Sequence, residues 1–303
     1  MARLFPKIYF HPDIVDADKA SLSVASSAVL YGLSVYTVFN IHEQDGEWLA
    51  FRLSDHYKRL VDSCRIIGIT TFENEWTYEQ FEGVVRETVR ANNPHEDVFV
   101  RASVHVDELL PGTRTKGLHT TLSLFLLEAA PIVPQEGMRL KTSMWRRIPD
   151  NAIPSRAKVN GAYVNSALAR QDAMDAGYDD CVFLDVSGHV CELSAANIFL
   201  VRDGVLVTPN NSCDLLEGIN RRTVLEIARD QGVPVEERTV DVTELYIADE
   251  VFVCGTSSYL APVFEIDGRN INHRQFGPLT RQLREIHRAA LDEPSEKGWL
   301  TKL

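Results

Sequence analysis

A lysine, a carboxylate and two glycine turns are the groups of this chain whose types and surroundings suit chemistry. Lys158 lies just before a helical pattern, in a segment that carries little other charge. Glu192 lies in an otherwise apolar strand, where a carboxylate needs a cationic partner or a proton. The turn at residues 215–220 leads into a helix, whose N-terminus suits an anion, and the turn at residues 255–258 offers hydroxyls and amides. The order along the chain is therefore lysine, buried glutamate and two turns of a phosphate-binding type.

Two arginines are candidates for binding an anion. Arg101 lies in a predicted strand at residues 97–104, among apolar neighbours. A buried arginine needs an anionic partner, so the pattern favours Arg101 as a site residue. Arg59 lies on a predicted helix that Ser54 or Asp55 can cap, and its position alone indicates a solvated surface residue.

The composition restricts the class of protein. The chain has 303 residues, 45% of them hydrophobic, which allows a substantial core, and we expect two domains. The net charge of −12, without a basic run, argues against nucleic acid or an anionic membrane as a partner. No apolar stretch reaches the ~20 residues of a membrane span, and the start of the chain lacks a signal-peptide core. The five scattered cysteines predict reduced, mostly buried thiols and a cytoplasmic location.

Hydrophobic periodicity predicts a mixture of helices and strands. A helix at residues 77–91 has a capping-box start at Thr77, and a helix after Lys158 has Val164, Ala167 and Leu168 on one face. Strands are predicted at residues 34–41, 48–53, 97–104, 121–127, 181–186, 189–193, 197–202, 205–208 and 251–254.

One segment is predicted to separate two domains. Residues 131–137 contain two prolines and a glycine, which is typical of a linker. We therefore expect a small α/β domain at residues 1–130 and a larger domain at residues 138–303.

Other catalytic patterns are weak. The nine histidines show no metal-ligand spacing, so no metal site is predicted. The basic loop at residues 111–117 is not followed by the lysine and hydroxyl residue of a phosphate loop, and neither a nucleophile elbow nor a dinucleotide fingerprint is found.

Five segments, taken in this order, resemble the class IV (fold type IV) pyridoxal-phosphate aminotransferases, in particular the branched-chain amino acid aminotransferases. They are residues 157–163, 192–199, 203–209, 218–221 and 255–256. The resemblance extends over about residues 20–285. It implies an α+β fold with a small α/β domain and a larger pseudo-barrel domain.

The resemblance assigns roles to the two central residues. Lys158 would form a Schiff base with the aldehyde of pyridoxal 5'-phosphate and, once the substrate amine displaces it, would shuttle a proton. Glu192 would pair with the pyridine nitrogen and keep it protonated, so that the ring acts as an electron sink.

The remaining cofactor contacts are also implied by the resemblance. Arg59, Thr256 and amides at the helix start would bind the phosphate, Tyr163 would hydrogen-bond the phenolic oxygen, and Leu216 would contact the ring. The full implied set is Arg59, Lys158, Tyr163, Glu192, Leu216, Gly218, Ile219, Asn220, Gly255 and Thr256. Asn220 stands where threonine is usual. Glu217 stands where proline is frequent, and we expect it to face solvent.

The implied substrate pocket departs from the branched-chain pattern. Its residues are Tyr31, Tyr36, Val38, Phe99, Arg101, Ser257 and Ser258, of which Tyr31 and Arg101 match that pattern. Thr37 and Val38 replace an acidic residue and a glycine, and Asn40 replaces an arginine. Tyr36, Val38 and Phe99 instead resemble the (R)-selective amine transaminases of the same fold.

The resemblance implies transfer of an amino group from a hydrophobic L-amino acid to 2-oxoglutarate. The resemblance also implies a homodimer or a higher homo-oligomer with the site at the domain and subunit boundary, so Tyr31 and the loop at residues 112–117 would serve the neighbouring subunit. The alternatives left open are an (R)-amine or D-amino acid transaminase and an aminodeoxychorismate-lyase-like enzyme. A non-catalytic protein that retains the cofactor is a further alternative, and intact Lys158, Glu192 and Arg59 argue against it.

Overall fold

The computed structural model describes residues 2–292 and 296–303, so Met1 and residues 293–295 of the predicted domains lie outside it. Contacts divide the chain into two units. The first contains the chain as far as Ala130, the piece Ala157–Gly161 and the C-terminal residues from Leu291. The second contains Pro131–Arg156 and Ala162–Ala290. Lys158 therefore belongs to the first unit, although it follows residue 130 in the sequence.

Helices and strands alternate irregularly along the described chain. The strands are β1 Lys7–Phe10, β2 Asp13–Asp16, β3 Ser34–Gln44, β4 Glu47–Phe51, β5 Val98–Val106, β6 Thr120–Glu128, β7 Met138–Arg146, β8 Asp180–Leu184, β9 Val190–Leu193, β10 Asn197–Arg202, β11 Val205–Pro209, β12 Val235–Arg238, β13 Glu250–Gly255, β14 Tyr259–Ile266, β15 Arg269–Asn270 and β16 Leu300–Lys302. The helices are α1 Ser27–Tyr31, α2 Leu53–Ile67, α3 Thr71–Glu75, α4 Tyr78–Asn92, α5 Tyr163–Asp175, α6 Ile219–Asp230, α7 Val242–Leu245 and α8 Pro278–Asp292.

The first unit is built on an antiparallel sheet of seven strands. Its order is β16-β4-β3-β5-β6-β1-β2. The hairpin between β3 and β4 turns at Asp45 and Gly46, which both have positive φ. Phe39 on β3 and Phe81 on α4 are fully buried, with their ring centroids 6.4 Å apart. The aromatic and β-branched strand residues therefore supply the core on which the helices lie.

Two helix starts in the first unit test the capping predictions. At α4, the Thr77 hydroxyl accepts from the Gln80 amide and the Gln80 side chain accepts from the Thr77 amide, so the predicted capping box is confirmed. At α2, the predicted cap at Ser54 or Asp55 is wrong, because Arg52 is the N-cap residue. Asp55 instead accepts a hydrogen bond of 2.6 Å from Arg52 Nε.

The second unit is built on a mixed sheet of nine strands. Its order is β12-β11-β10-β13-β14-β7-β8-β9, and β15 pairs with β14. The pairs β11–β12, β7–β14 and β7–β8 are parallel and the others are antiparallel. A large apolar cluster, including Leu193, Ile198 and Val253, fills its core. This sheet carries the short strands that the sequence predicts after Lys158.

The predicted orientation of the helix after Lys158 is wrong. On α5 the side chains of Val164 and Leu168 are 65% and 44% exposed. Ala169 and Ala173 are buried instead and pack against Phe183 of β8. Small residues let a helix approach a sheet closely, so this side of α5 is buried although it is less hydrophobic.

Two searches over the described residues bear on other functions. They contain no helix long and apolar enough to cross a membrane. They also contain no group of three or more histidine, cysteine, aspartate or glutamate residues able to hold a metal ion. All five cysteines are buried and unpaired.

Candidate active site

The backbone around Lys158 is fixed by the first unit. The Lys158 amide donates to Ser63 Oγ at 3.1 Å, and its carbonyl accepts from the Tyr36 amide at 3.0 Å. The Asn160 amide donates to the Ser34 carbonyl at 2.8 Å. The segment is thus held between the start of β3 and helix α2. This anchoring gives the partly buried lysine a defined place despite its position in a loop.

A close approach of two glycines completes this anchoring. Gly32 ends α1 with φ of +67°, and a Cβ there would lie 3.0 Å from Gly161 Cα. A Cβ on Gly161 would lie 3.3 Å from the Gly32 carbonyl oxygen. A side chain at Gly161 would therefore force the backbone at Gly32 to move by a few tenths of an ångström.

Three predicted site residues meet in the first unit. The Lys158 Nζ lies 4.8 Å from the centroid of the Tyr36 ring, and the Arg101 Cζ lies 3.6 Å from the same centroid. Arg101 Nη2 also donates to Asn160 Oδ1 at 3.0 Å. Arg101 is partly buried rather than buried as expected, and these two contacts are to an aromatic ring and an amide. Neither partner neutralises its charge.

The pairing of β3 with β5 places four predicted residues on one face of the sheet. Val38 lies opposite Arg101, Asn40 lies opposite Phe99, and Tyr36 lies two residues before Val38. Because residues directly opposite each other share a face and the face repeats every two residues, these side chains line one surface. Tyr31 is at the end of α1 and is exposed.

Arg59 is partly buried, so the surface position indicated by its sequence context is wrong. Its Nη2 donates to Thr37 Oγ1 at 3.2 Å, and the same hydroxyl lies 2.8 Å from His56 Nδ1. Thr37 and His56 are buried. Thr37, one of the departures from the branched-chain pattern, therefore positions Arg59.

In the second unit, Glu192 is buried, and both of its carboxylate oxygens have hydrogen-bond or ion-pair partners. Its Oε1 lies 2.9 Å from Arg147 Nη2. Its Oε2 accepts from Asn197 Nδ2 at 3.1 Å and from the Leu216 amide at 3.2 Å. Of the two predicted alternatives, a cationic partner or a proton, the structure supplies a cation, Arg147. Arg147 lies just beyond the end of another strand, β7, so its place in the sequence gives no sign of this pairing.

Asn197 joins Glu192 to the glycine turn. Its Nδ2 also donates to the Leu216 carbonyl at 3.0 Å. A Cβ on Gly218 would lie only 2.0 Å from Asn197 Oδ1. Gly218 therefore allows the asparagine to reach the turn. Asn197 lies in one of the segments that resemble the family, but the sequence predicts no role for it. It is the buried first residue of β10, and nothing in the neighbouring sequence indicates these contacts.

The two predicted anion turns come together in the second unit. Asn220, the second residue of α6, donates from Nδ2 to Thr256 Oγ1 at 3.3 Å. Its Oδ1 lies 2.8 Å from His287 Nε2. Gly218 is the N-cap of α6 and makes no side-chain capping bond. The partial positive charge of the helix N-terminus is therefore next to a hydroxyl and an amide.

The turn after β13 is anchored by the predicted linker. The Ser257 carbonyl accepts from the Ile132 amide at 2.9 Å, and the Ser258 carbonyl accepts from Gln135 Nε2 at 3.0 Å. A Cβ on Gly255 would lie 3.3 Å from the Ala195 carbonyl oxygen. These contacts hold the serine backbone in place.

Tyr163 and Glu217 are the other predicted positions in the second unit. Tyr163 begins α5 and is partly exposed. Glu217 lies at the surface, as expected, and its Oε1 accepts from Arg156 Nε at 2.9 Å.

The chain belongs to the class IV aminotransferases, because residues 34–266 match the family model Amino-transferase class IV. The family and the α+β, fold type IV architecture predicted from the sequence are thereby confirmed.

Its relatives include branched-chain enzymes. The chain is 34% identical to a probable branched-chain-amino-acid aminotransferase of Aquifex aeolicus (strain VF5), over 97% of this chain and 95% of that protein. It is 35% identical to the branched-chain aminotransferase from Thermoproteus uzoniensis solved with norvaline, with a TM-score of 0.93 and 99% of both chains covered. The T.th. branched-chain amino acid aminotransferase, complexed with N-(5'-phosphopyridoxyl)-L-glutamate, is 34% identical with a TM-score of 0.89 and 98% of both chains covered.

Proposed function

We propose that the protein is a pyridoxal-phosphate-dependent aminotransferase that moves the amino group of a branched-chain L-amino acid to 2-oxoglutarate. The observation that carries the proposal is its full-length similarity to solved branched-chain aminotransferases. The ligand of the T.th. enzyme joins a phosphopyridoxyl group to L-glutamate, the amino acid that corresponds to 2-oxoglutarate.

The groups of the second unit fit a phosphorylated pyridine. The first N–H groups of a helix need acceptors, and Gly218 supplies no side chain to cap α6. A phosphate can take this role, with the amides of Ile219 and Asn220 and the hydroxyl of Thr256 as donors. A buried, hydrogen-bonded carboxylate such as Glu192 suits a protonated ring nitrogen.

The first unit supplies the groups for the reaction itself. The cofactor, when bound, supplies an electron sink. Lys158 would attach it and would take and return the proton at the substrate Cα. Its backbone bonds to Ser63 and Tyr36 fix the point from which the side chain extends, which limits where the amine can lie.

The face shared by β3 and β5 supports an amino acid as the donor. Arg101 keeps a positive charge for the substrate carboxylate. Val38 and Phe99 add apolar surface for an aliphatic side chain. A hydrophobic surface separates such side chains by only about 1–3 kcal/mol per methylene, so leucine, isoleucine and valine should all react.

The proposal includes a homodimer in the cytoplasm. Exposed apolar residues cluster around α1 in the first unit, and such clusters mark protein contacts. The five unpaired cysteines support a reducing compartment.

Borohydride reduction and a donor panel test the proposed function. Reduction of the purified holoenzyme followed by peptide mapping should place the label on Lys158, and Lys158→Ala should have no turnover. Wild type should use leucine, isoleucine or valine with 2-oxoglutarate. A label on another lysine contradicts the assignment. A preference for (R)-1-phenylethylamine with pyruvate over every branched-chain donor would favour the (R)-amine alternative.

A further inference from the structure

His287 contacts the asparagine of the glycine turn from a distant part of the chain. It lies on α8, 67 positions after Asn220, and is only 1% exposed. Its Nε2 is 2.8 Å from Asn220 Oδ1. Because an amide oxygen can only accept, the histidine nitrogen donates in this hydrogen bond.

This bond fixes which way the Asn220 amide faces. With Oδ1 held by His287, the Nδ2 group is directed to the other side, where it donates to Thr256 Oγ1 at 3.3 Å. A hydroxyl has one hydrogen, so Thr256, which accepts from Asn220, can donate its hydrogen to a further acceptor. The three side chains thus form a directed series of donors that leads from His287 through Asn220 to the Thr256 hydroxyl.

We propose that His287 is a positioning residue for the cofactor phosphate. It holds the Asn220 amide with its nitrogen towards Thr256, so that the turn presents donors to the phosphate and keeps the amide oxygen away from it. The inference rests on the proposed function, in which Thr256 and the N-terminus of α6 bind that phosphate.

The need for His287 follows from the residue type at position 220. A threonine at this position would have a hydroxyl that can donate without an orienting partner. An asparagine has a donor and an acceptor at opposite ends, and the wrong orientation places an oxygen near a dianion. In a buried site, hydrogen bonds in series also strengthen one another, so the first donor affects the last.

Affinities for two forms of the cofactor test the proposal. Dissociation constants are measured by fluorescence titration for pyridoxal 5'-phosphate and for pyridoxal, which lacks the phosphate. His287→Leu should weaken pyridoxal 5'-phosphate about tenfold and leave pyridoxal unchanged, since the lost bond acts only on the phosphate. His287→Gln, whose amide can donate to Asn220, should bind pyridoxal 5'-phosphate within about twofold of wild type.

Two further variants separate positioning from packing. In an Asn220→Thr background no amide has to be oriented, so His287→Leu should then change the affinity by less than about twofold. Leu283→Ala removes a fully buried side chain on the same helix and controls for general loosening of α8. It should leave the ratio of the two dissociation constants unchanged. If His287→Leu does not fold, His287→Met takes its place as a flexible side chain without a donor.

The results that overturn the proposal differ from those that overturn the proposed function. Equal losses for pyridoxal 5'-phosphate and pyridoxal, an unchanged affinity in His287→Leu, or an undiminished loss in the Asn220→Thr background would show that His287 only packs. If wild type binds neither form of the cofactor, the proposed function itself fails and this inference fails with it.

Discussion

The pair between Arg147 and Glu192 shows what a single buried charge requires. Both side chains are nearly buried, and the nitrogen and oxygen are 2.9 Å apart. Removing one partner of a buried pair leaves the other charge without compensation, which costs much more than the pair contributes as a whole. Arg147 therefore matters for stability.

Arg147→Leu should lower the free energy of unfolding by about 3–5 kcal/mol, because Glu192 loses its cation. Urea denaturation measures this change. The double variant Arg147→Leu with Glu192→Gln should recover part of the loss, since no unpaired charge remains. Arg65→Ala breaks an exposed pair with Glu73 and serves as a control with little effect. A single variant as stable as wild type would contradict this account.

His105 makes stability depend on pH. Burial, and after it the charge of Arg101, lowers the pKa of His105 from 6.5 to about 4. Between these two values the unfolded chain binds more protons than the folded chain, so stability falls as the pH falls from 6.5 towards 4. The His105 Nδ1 lies 3.0 Å from Ser34 Oγ, and its Nε2 lies 2.8 Å from Ser123 Oγ.

His105→Gln should flatten this part of the pH profile. The change removes a contribution on the order of 3 kcal/mol that is present above pH 6.5 and lost below pH 4. Urea midpoints of both proteins at pH 7, 5.5 and 4.5 give the comparison. Parallel profiles for the two proteins would show that His105 is not the group responsible.

At the scale of elements, one glycine decides whether strand and turn can meet. Gly218→Ala would place a Cβ 2.0 Å from Asn197 Oδ1, so the asparagine or the start of α6 must move. We expect a loss of about 1–3 kcal/mol in the free energy of unfolding. At Gly83, in the interior of α4, no atom other than those of its chain neighbours and the nearby helix backbone lies within 4 Å of the position that a Cβ would take. Gly83→Ala should therefore stabilise by about 0.5–1 kcal/mol. Urea denaturation of both variants is the measurement, and an equal effect would contradict the argument.

The elements that the sequence predicts well are those decided locally. The capping box at Thr77 is contained in four residues, so the start of α4 follows from the sequence. The exposed side of α5 does not follow from the sequence, because the small residues of the helix, rather than its larger apolar ones, pack against the sheet. The burial of Glu192 could be predicted from its apolar strand. Its partner Arg147 could not, since only the tertiary fold brings the two together.

The same distinction holds for the candidate site. Lys158, Asn220 and Thr256 are predicted as site residues because the motifs that resemble the family contain them. His287 lies 67 positions from Asn220, on an amphipathic helix whose pattern indicates only a packed face. The sequence around an isolated histidine on such a helix does not indicate that it hydrogen-bonds to a distant turn.

At the scale of the whole molecule, one apolar surface stands out in the first unit. We call it the α1 patch, and its exposed members are Val24, Val29, Leu30, Leu109 and Leu110. Residues 24–30 and residues 109–110 lie next to each other. Ser26 and Leu109 form an isolated antiparallel β-bridge, and the Leu110 amide donates to the Ala25 carbonyl at 3.2 Å. An apolar surface of this kind is unfavourable in water unless a partner covers it. We expect the partner to be a second copy of the chain.

The α1 patch should therefore hold the proposed homodimer together. One chain has a mass of 34.1 kDa, so light scattering after size-exclusion chromatography should give twice this mass for wild type. Val24 and Leu110 are 79% and 74% exposed, so changing both to glutamate adds charge without disturbing the core. At a self-complementary interface each change acts twice, and the repulsion should shift the protein to the monomer mass. Ile247→Glu, at a residue that is 62% exposed outside the patch, is the matched control and should stay dimeric. A wild-type monomer would refute the dimer, and a dimeric Val24→Glu, Leu110→Glu variant would show that another surface forms the interface.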